Sequence, residues 1–360
     1  MHQAVSDFTE YVAGLRAAKN AIMNGLAPVQ SSIAPGLLSS WQRSHAHGIR
    51  CDDRRLQAVN YPLYVIDDAD RHLSTVAGEE IDAIWDSFGG ENWAVYCTNA
   101  HGLITRVRHG SNPLSHAFAL HVGRRLLESD LGTTAPACAI EEQRAVTLVG
   151  AEHYLDEFAD YFCCAVPLWG PWGTLVGVLN ITGSEAFKSR LVERKLASAA
   201  VKIENRLFLE AHHGHTVFKI HYDADFIDTH LAGLIAIDAS GDLVSATRNA
   251  REMLDDIDPF SRRCNVAQVF QQDLVVVDGY CLKSSLHNGI VFYTKACGEH
   301  TAAGLANNAS TRDSGSLHAL SQVHMRETLR SVGGNISKAA KVLGVSRNTL
   351  YRNMPHKPKR

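Results

Sequence analysis

Apolar residues along the chain change period from region to region, and each change marks a change of structure. Phe8, Tyr11, Val12 and Leu15 recur at helical spacing, and Leu37, Leu38 and Trp41 begin a second stripe, so residues 1–55 are expected to be helical. From residue 56 to residue 183 the pattern is mixed. Glu79 to Phe88 predicts a helix, while Trp93 to Thr98, Leu103 to Val107, Ala145 to Val149, Cys163 to Leu168 and Thr174 to Ile181 predict strands. Asn99 to Gly102 and Trp169 to Gly173 supply tight turns. Antiparallel strands with helices to one side make an α+β domain.

Ser184 to about His212 predicts a charged connecting helix within residues 184–215. In it Leu196, Ala200, Ile203 and Leu207 suit either a two-helix seam or packing onto the helix's own domain. Residues 216–296 form a second, smaller α+β segment. Leu234 to Asp238 and Leu243 to Ala246 flank a hairpin turn, Asn249 to Leu254 is helical, and Leu274 to Val277 and Gly289 to Tyr293 are further strands. Residues 297–316 are rich in Ala, Gly, Asn, Ser and Thr and read as a linker. Residues 317–360 predict an all-α end. Met325 and Leu329 lie one turn apart, Gly333 and Gly334 stop that helix, and Ile336, Ala339, Ala340 and Leu343 give the next one its buried face. Gly344 and Val345 make a turn, Ser346 is the expected N-cap, and Asn348 to Met354 completes a third helix.

Length and composition sharpen this picture. At roughly 150 residues per domain, 360 residues imply a multidomain chain. The formal charge of -3 is nearly neutral, so any nucleic-acid surface must be local. It lies at the C-terminus, where Arg326, Arg330, Lys338, Lys341, Arg347, Arg352, Lys357, Lys359 and Arg360 face a single acid, Glu327. The eight cysteines include no CxxC spacing, and Met1 to Glu10 lacks a basic-then-apolar leader. The longest apolar run, Tyr161 to Ile181, is broken by Pro167, Gly170, Pro171, Gly173 and Gly177. A reduced, cytoplasmic chain with no membrane association is expected.

The stretch from Gly334 through Asn335, Ile336, Ser337, Lys338, Ala339, Ala340, Lys341, Val342, Leu343, Gly344, Val345, Ser346, Arg347, Asn348, Thr349, Leu350 and Tyr351 to Arg352 resembles the Fis-type helix-turn-helix that closes bacterial enhancer-binding activators. The resemblance implies double-stranded DNA as partner. Arg347, Asn348, Tyr351 and Arg352 would reach base edges, Ser337, Lys338, Lys341 and Thr349 phosphates, and Ser346 completes the set.

The N-terminal part is similar to the acetoin-regulator branch of the same activators. Ser40-Trp41-Gln42-Arg43-Ser44 with Gly48 resembles its entry motif, and Glu128-Ser129-Asp130-Leu131-Gly132-Thr133-Thr134-Ala135 a segment of its GAF domain. Glu152-His153-Tyr154, Cys164 to Leu168 and Gly173 to Asn180 continue the match, whereas Pro136-Ala137-Cys138 departs from the family's Gly-Thr-Ala run. Residues 231–254 resemble the start of a PAS domain. These resemblances imply a GAF-like sensor at 56–183 and a PAS-like domain at 216–296. They also imply a homodimeric regulator working with RNA polymerase.

Activators of this family carry a central ATPase. This chain has no G-x-x-x-x-G-K-[ST] and no Gly-Lys pair, so it is expected to act without ATP hydrolysis. Two roles fit: an effector-responsive regulator, or an ATPase-lacking partner opposing a full-length sigma-54 activator. Trp93, Tyr96, Thr134, Cys138, His153, Cys164 and Trp169 are candidates for an effector cavity. No basic cluster accompanies them, so a small, largely uncharged organic effector is expected. An enzyme built on Cys164 and His153 is the reading least supported, since Tyr161 to Leu168 looks like a buried strand. His45, His47 and His212 to His215 have no partner at a metal-ligand spacing, and no cofactor is expected.

Overall fold

A computed structural model describes residues 2–28, 33–55, 64–88, 90, 92–110, 120–184, 189–254, 259–260, 263–277, 279–297, 328 and 335–342. The chain forms two compact units, Met1–Thr301 and Ala302–Arg360.

The first unit opens with helices α1 (His2–Met23), α2 (Pro35–Ala46) and α3 (Asp68–Phe88). A five-stranded antiparallel sheet follows, built from β1 (Trp93–Asn99), β2 (Ile104–His109), β3 (Val146–Val149), β4 (Phe162–Trp169) and β5 (Leu175–Gly183) in the order β2-β1-β5-β4-β3. Helices α4 (Glu128–Leu131) and α5 (Ala135–Glu142) lie in the long connection between β2 and β3. Strands β1 and β4 are buried along nearly their whole length because both faces of the sheet are covered. That is why they read as apolar runs and not as alternating ones.

One face of this sheet packs against α1, α2 and α5 around Trp41, Tyr96, Tyr154 and Cys163. The other packs against α3 and α6 (Ser189–Ala211). Leu196, Ala200, Ile203 and Leu207 all lie in this second core, so their spacing serves packing within the chain and not a seam between copies.

A second five-stranded antiparallel sheet consists of β6 (Thr216–His221), β7 (Gly233–Ile237), β8 (Leu243–Ala246), β9 (Leu282–Ser285) and β10 (Val291–Ala296), ordered β8-β7-β6-β10-β9. Moving β6 from the start of this run to its end reproduces the order of the first sheet. The two sheets are circular permutants, and β6, which follows α6 directly, takes the middle position. One face carries a core with α7 (Arg248–Met253) and α8 (Val266–Val269), and the other packs on Phe208 of α6.

Two expectations fail here. Leu274 to Val277 is not a strand, and Val275 is 42% exposed. Strands β6 and β9 were not anticipated. In the second unit, α9 (Ile336–Val342) is the helix expected from its alanines, and Ala339 and Ala340 are buried. Among the described residues, no helix is long and apolar enough to cross a membrane.

Candidate effector cavity and DNA-binding segment

The sequence motifs of the first unit prove to be one another's partners. On α2, Arg43 grips Glu128 with two parallel bonds, Nε to Oε2 at 2.6 Å and Nη2 to Oε1 at 2.8 Å. Ser40, one turn earlier, donates to Glu128 Oε1 at 2.5 Å and lies 2.8 Å from Thr133 Oγ1, which is 3.0 Å from Ser44 Oγ. Trp41, fully buried, donates its indole N–H to the Glu152 carbonyl at 2.9 Å. A planar guanidinium facing a buried carboxylate gives strong, directional bonds. The helix α2 is thereby fastened to the segment Glu128–Thr133. Helix α1 is fastened beside it: Tyr11 donates to Glu152 at 2.9 Å, and the buried Lys19 ammonium sits 3.4 Å from Asp156 and 5.4 Å from the Trp41 ring centre.

Next in sequence to the clamped Thr133, Thr134 borders a cavity of about 20 Å³, lined also by Tyr96, Leu120, Leu126, Leu131, Pro136, Phe158, Cys163 and Thr182. Of the seven residues expected at an effector site, Tyr96 and Thr134 line it. Cys138 lies beside the clamp, 3.2 Å from Ser40 Oγ, and His153 is stacked behind Phe158 at 5.5 Å between rings. Trp93 and Cys164 belong to the opposite core, and Trp169 stands at the far end of β4, donating its backbone N–H to Glu204 at 3.1 Å. The correction follows from strand parity: side chains alternate across a sheet, so Tyr96 cannot share a face with Trp93, nor Cys163 with Cys164. The sequence reading also missed Arg124, which is 2% exposed. Burial pushes the Tyr96 phenol well above its ordinary range, and the charge of Arg124 acts on it in the opposite sense.

Cys164 and His153 do not form a nucleophile and base. They point into different cores, and burial raises the Cys164 thiol to about 12. His153 Nδ1 donates to the Gly150 carbonyl at 3.0 Å, and burial holds its pKa near about 4. The folded chain therefore binds that proton less readily than the unfolded chain, whose histidine titrates at 6.5. Stability should be lost as pH falls from 6.5 toward 4, by up to about 1.4 kcal/mol per pH unit from this group. Urea midpoints at several pH values in this window should show the decline, and His153→Phe should flatten it. An unchanged slope in the variant would remove His153 as its source. Among the described residues no group of three or more His, Cys, Asp or Glu is placed to hold a metal.

The turn between β4 and β5 is where the two sheets meet. Glu204 on α6 accepts from Trp169 N–H and pairs with Arg248 Nη2 at 3.3 Å. Ser245 on β8 donates to the Pro171 carbonyl, and the Trp172 ring lies 4.8 Å from that of His212.

In the second unit, Asn335 caps α9: its side chain accepts from the Lys338 backbone N–H at 3.1 Å. Ser337, Lys338 and Lys341 are exposed, opposite the buried alanine pair. Ser346, Arg347, Asn348, Thr349, Tyr351 and Arg352 lie outside the described residues.

Residues 316–354 match the Fis family of bacterial regulatory proteins. The acetoin catabolism regulatory protein of Cupriavidus necator is 30% identical over 230 residues, covering 60% of this chain and 34% of that protein. The propane 2-monooxygenase operon transcriptional activator MimR of Mycolicibacterium smegmatis is 25% identical over 238 residues, 63% of this chain and 38% of the relative. The chain thus spans little more than a third of the curated relatives it matches. Among solved structures, the E. coli DhaR(N)-DhaL complex aligns with a TM-score of 0.45 at 15% identity, covering 72% of this chain and 98% of that one. The chain carries a Fis-family helix-turn-helix segment at its C-terminus and is homologous to the acetoin catabolism regulatory protein and to MimR-type activators.

Proposed function

We propose that this protein is a DNA-binding transcriptional regulator of the bacterial cytoplasm whose first unit senses a small molecule. The observation that carries the reading is the Fis-family match at 316–354, joined to a capped helix with Lys338 and Lys341 exposed opposite its buried side. Arg347, Asn348, Tyr351 and Arg352 read base edges, and Ser337, Lys338, Lys341 and Thr349 hold phosphates, with Ser346 capping the reading helix. A single small module of this kind buries little surface, so the working form is a homodimer on a two-fold site, in contact with RNA polymerase. The absence of a Gly-Lys pair supports regulation without ATP hydrolysis.

The test is a shift assay on promoter DNA at two salt concentrations. Lys338→Ala should weaken all sequences alike and lower the salt slope by about one unit. Arg347→Ala should relax sequence preference, at about 1–3 kcal/mol per lost bidentate base contact. Equal effects of both variants on specific and random DNA would reject the assignment of Arg347 to base reading.

A further inference from the structure

Ionisable groups are buried where the β4–β5 turn meets the second sheet, away from both the cavity and the C-terminal segment. Glu204 of α6 is 4% exposed. Its Oε1 accepts from the Trp169 backbone N–H at 3.1 Å, and Arg248 Nη2 approaches its two carboxylate oxygens at 3.3 and 3.4 Å. Three elements, β4, α6 and α7, thus converge on one carboxylate. The charges acting on it come from α7: Arg248 and Arg251 favour its ionised form, and Glu252 opposes it. Just past the end of α6, His212 is buried against Phe208, Trp172 and His215. A carboxylate this deep, met by one N–H and one cation at more than 3 Å, is poorly repaid for the water it has lost. Burial accordingly lifts Glu204 to about 7, with the Arg248 charge acting in the opposite sense. His212 is pushed down by burial to about 4, so it stays neutral where Glu204 titrates.

We propose that Glu204 is a proton-operated latch between the two sheets: ionised, it ties α7 to the β4–β5 turn through Arg248, and protonated, it lets Arg248 go. The proton comes from solvent and Arg248 keeps its charge. A neutral carboxyl still accepts from the Trp169 N–H, but it no longer offers the guanidinium a charge to set against hydration. The Arg248 side chain is 27% exposed, so water is within its reach. Among the described residues, the turn then keeps the Ser245 bond to the Pro171 carbonyl and the close packing of Gly173 on Phe260. These are weak enough for one charge to decide how firmly the second sheet is held against the first. The latch is independent of the proposed DNA binding.

The experiment uses the full chain labelled with 5-fluorotryptophan, its fluorine spectra recorded from about pH 5.5 to about pH 8.5, where an unperturbed glutamate is already ionised. Trp169→Phe and Trp172→Phe assign the two signals of the turn. The expected result is a transition of the Trp169 signal with a midpoint near pH 7, while Trp41, in the first core, does not follow it. Glu204→Gln keeps the shape, should abolish the transition, and should hold the signal at its acid position. Arg248→Leu should move the midpoint to higher pH, because the cation that favours the ionised form is gone. His212→Gln should leave the midpoint in place. Release of α7 is read separately by mass spectrometry of trypsin digests at the alkaline end. Cleavage after Arg248 should be about threefold or more faster in Glu204→Gln than in the wild type. The proposal is overturned if the Trp169 signal has no transition, if the transition survives in Glu204→Gln or disappears in His212→Gln, if Arg248→Leu leaves its midpoint unmoved, or if Glu204→Gln is cut after Arg248 no faster than the wild type.

Discussion

A chain ending at residue 316 should show no sequence-specific binding to its promoter DNA, while its two sheets keep their secondary structure by circular dichroism. Residues 317–360 carry nine basic side chains and one acidic one, so the remainder of a near-neutral chain is acidic. Truncation therefore removes the contacts and leaves a body that repels phosphates. Specific complexes are typically about 10³–10⁷ tighter than non-specific ones, so the loss is expected to exceed the range of a shift assay. Among the described residues, the cores of the first unit, Met1–Thr301, are built from its own side chains. Specific binding by the truncated chain would overturn the proposed function.

Glu128→Ala should be the most damaging single change in the first unit. It leaves the partly buried Arg43 guanidinium without its bidentate partner and takes from the Ser40 hydroxyl its carboxylate acceptor, leaving it only Thr133 and Cys138. Breaking one side of a buried charged pair costs about 3–5 kcal/mol, and the partial exposure of Arg43 puts this case near the lower end. The loss should appear as a lower urea midpoint with early release of α2, followed through the fluorescence of the buried Trp41. Glu128→Gln keeps the shape and one acceptor, so it should fall between the two. Wild-type stability in Glu128→Ala would mean that the clamp holds nothing.

Much of this architecture was written in the chain. The strands of the first sheet fall within a few residues of their apolar runs, and Ala339 and Ala340 mark the inner side of α9 as expected. What escaped has physical reasons. Strand β6 is buried on both faces and lacks the alternation that announces a strand, and β9, Leu-Lys-Ser-Ser, is a polar edge. The run Leu274 to Val277 has strand composition, but no ladder forms there among the described residues. For the cavity, the error was one of parity. Trp93 and Tyr96 are three positions apart on one strand and must diverge; crossing the ladder from Tyr96 to Asn180 and counting two along β5 leads to Thr182, which does line the cavity. That step requires the register between β1 and β5, which no local pattern supplies. The pairing of Ser40 and Arg43 with Glu128 spans more than eighty residues and is equally invisible in one dimension.

The permuted second sheet has a mechanical consequence. Strand β6 continues from α6 through only a short turn and is bonded along both sides, to β7 and to β10. A helix attached to an edge strand can peel it away, and its travel is absorbed as fraying. Here travel of α6 enters at the centre of the ladder, where β7 and β10 must follow together. The second sheet then moves as a plate, and travel of α6 finds no soft margin along β6 in which to dissipate.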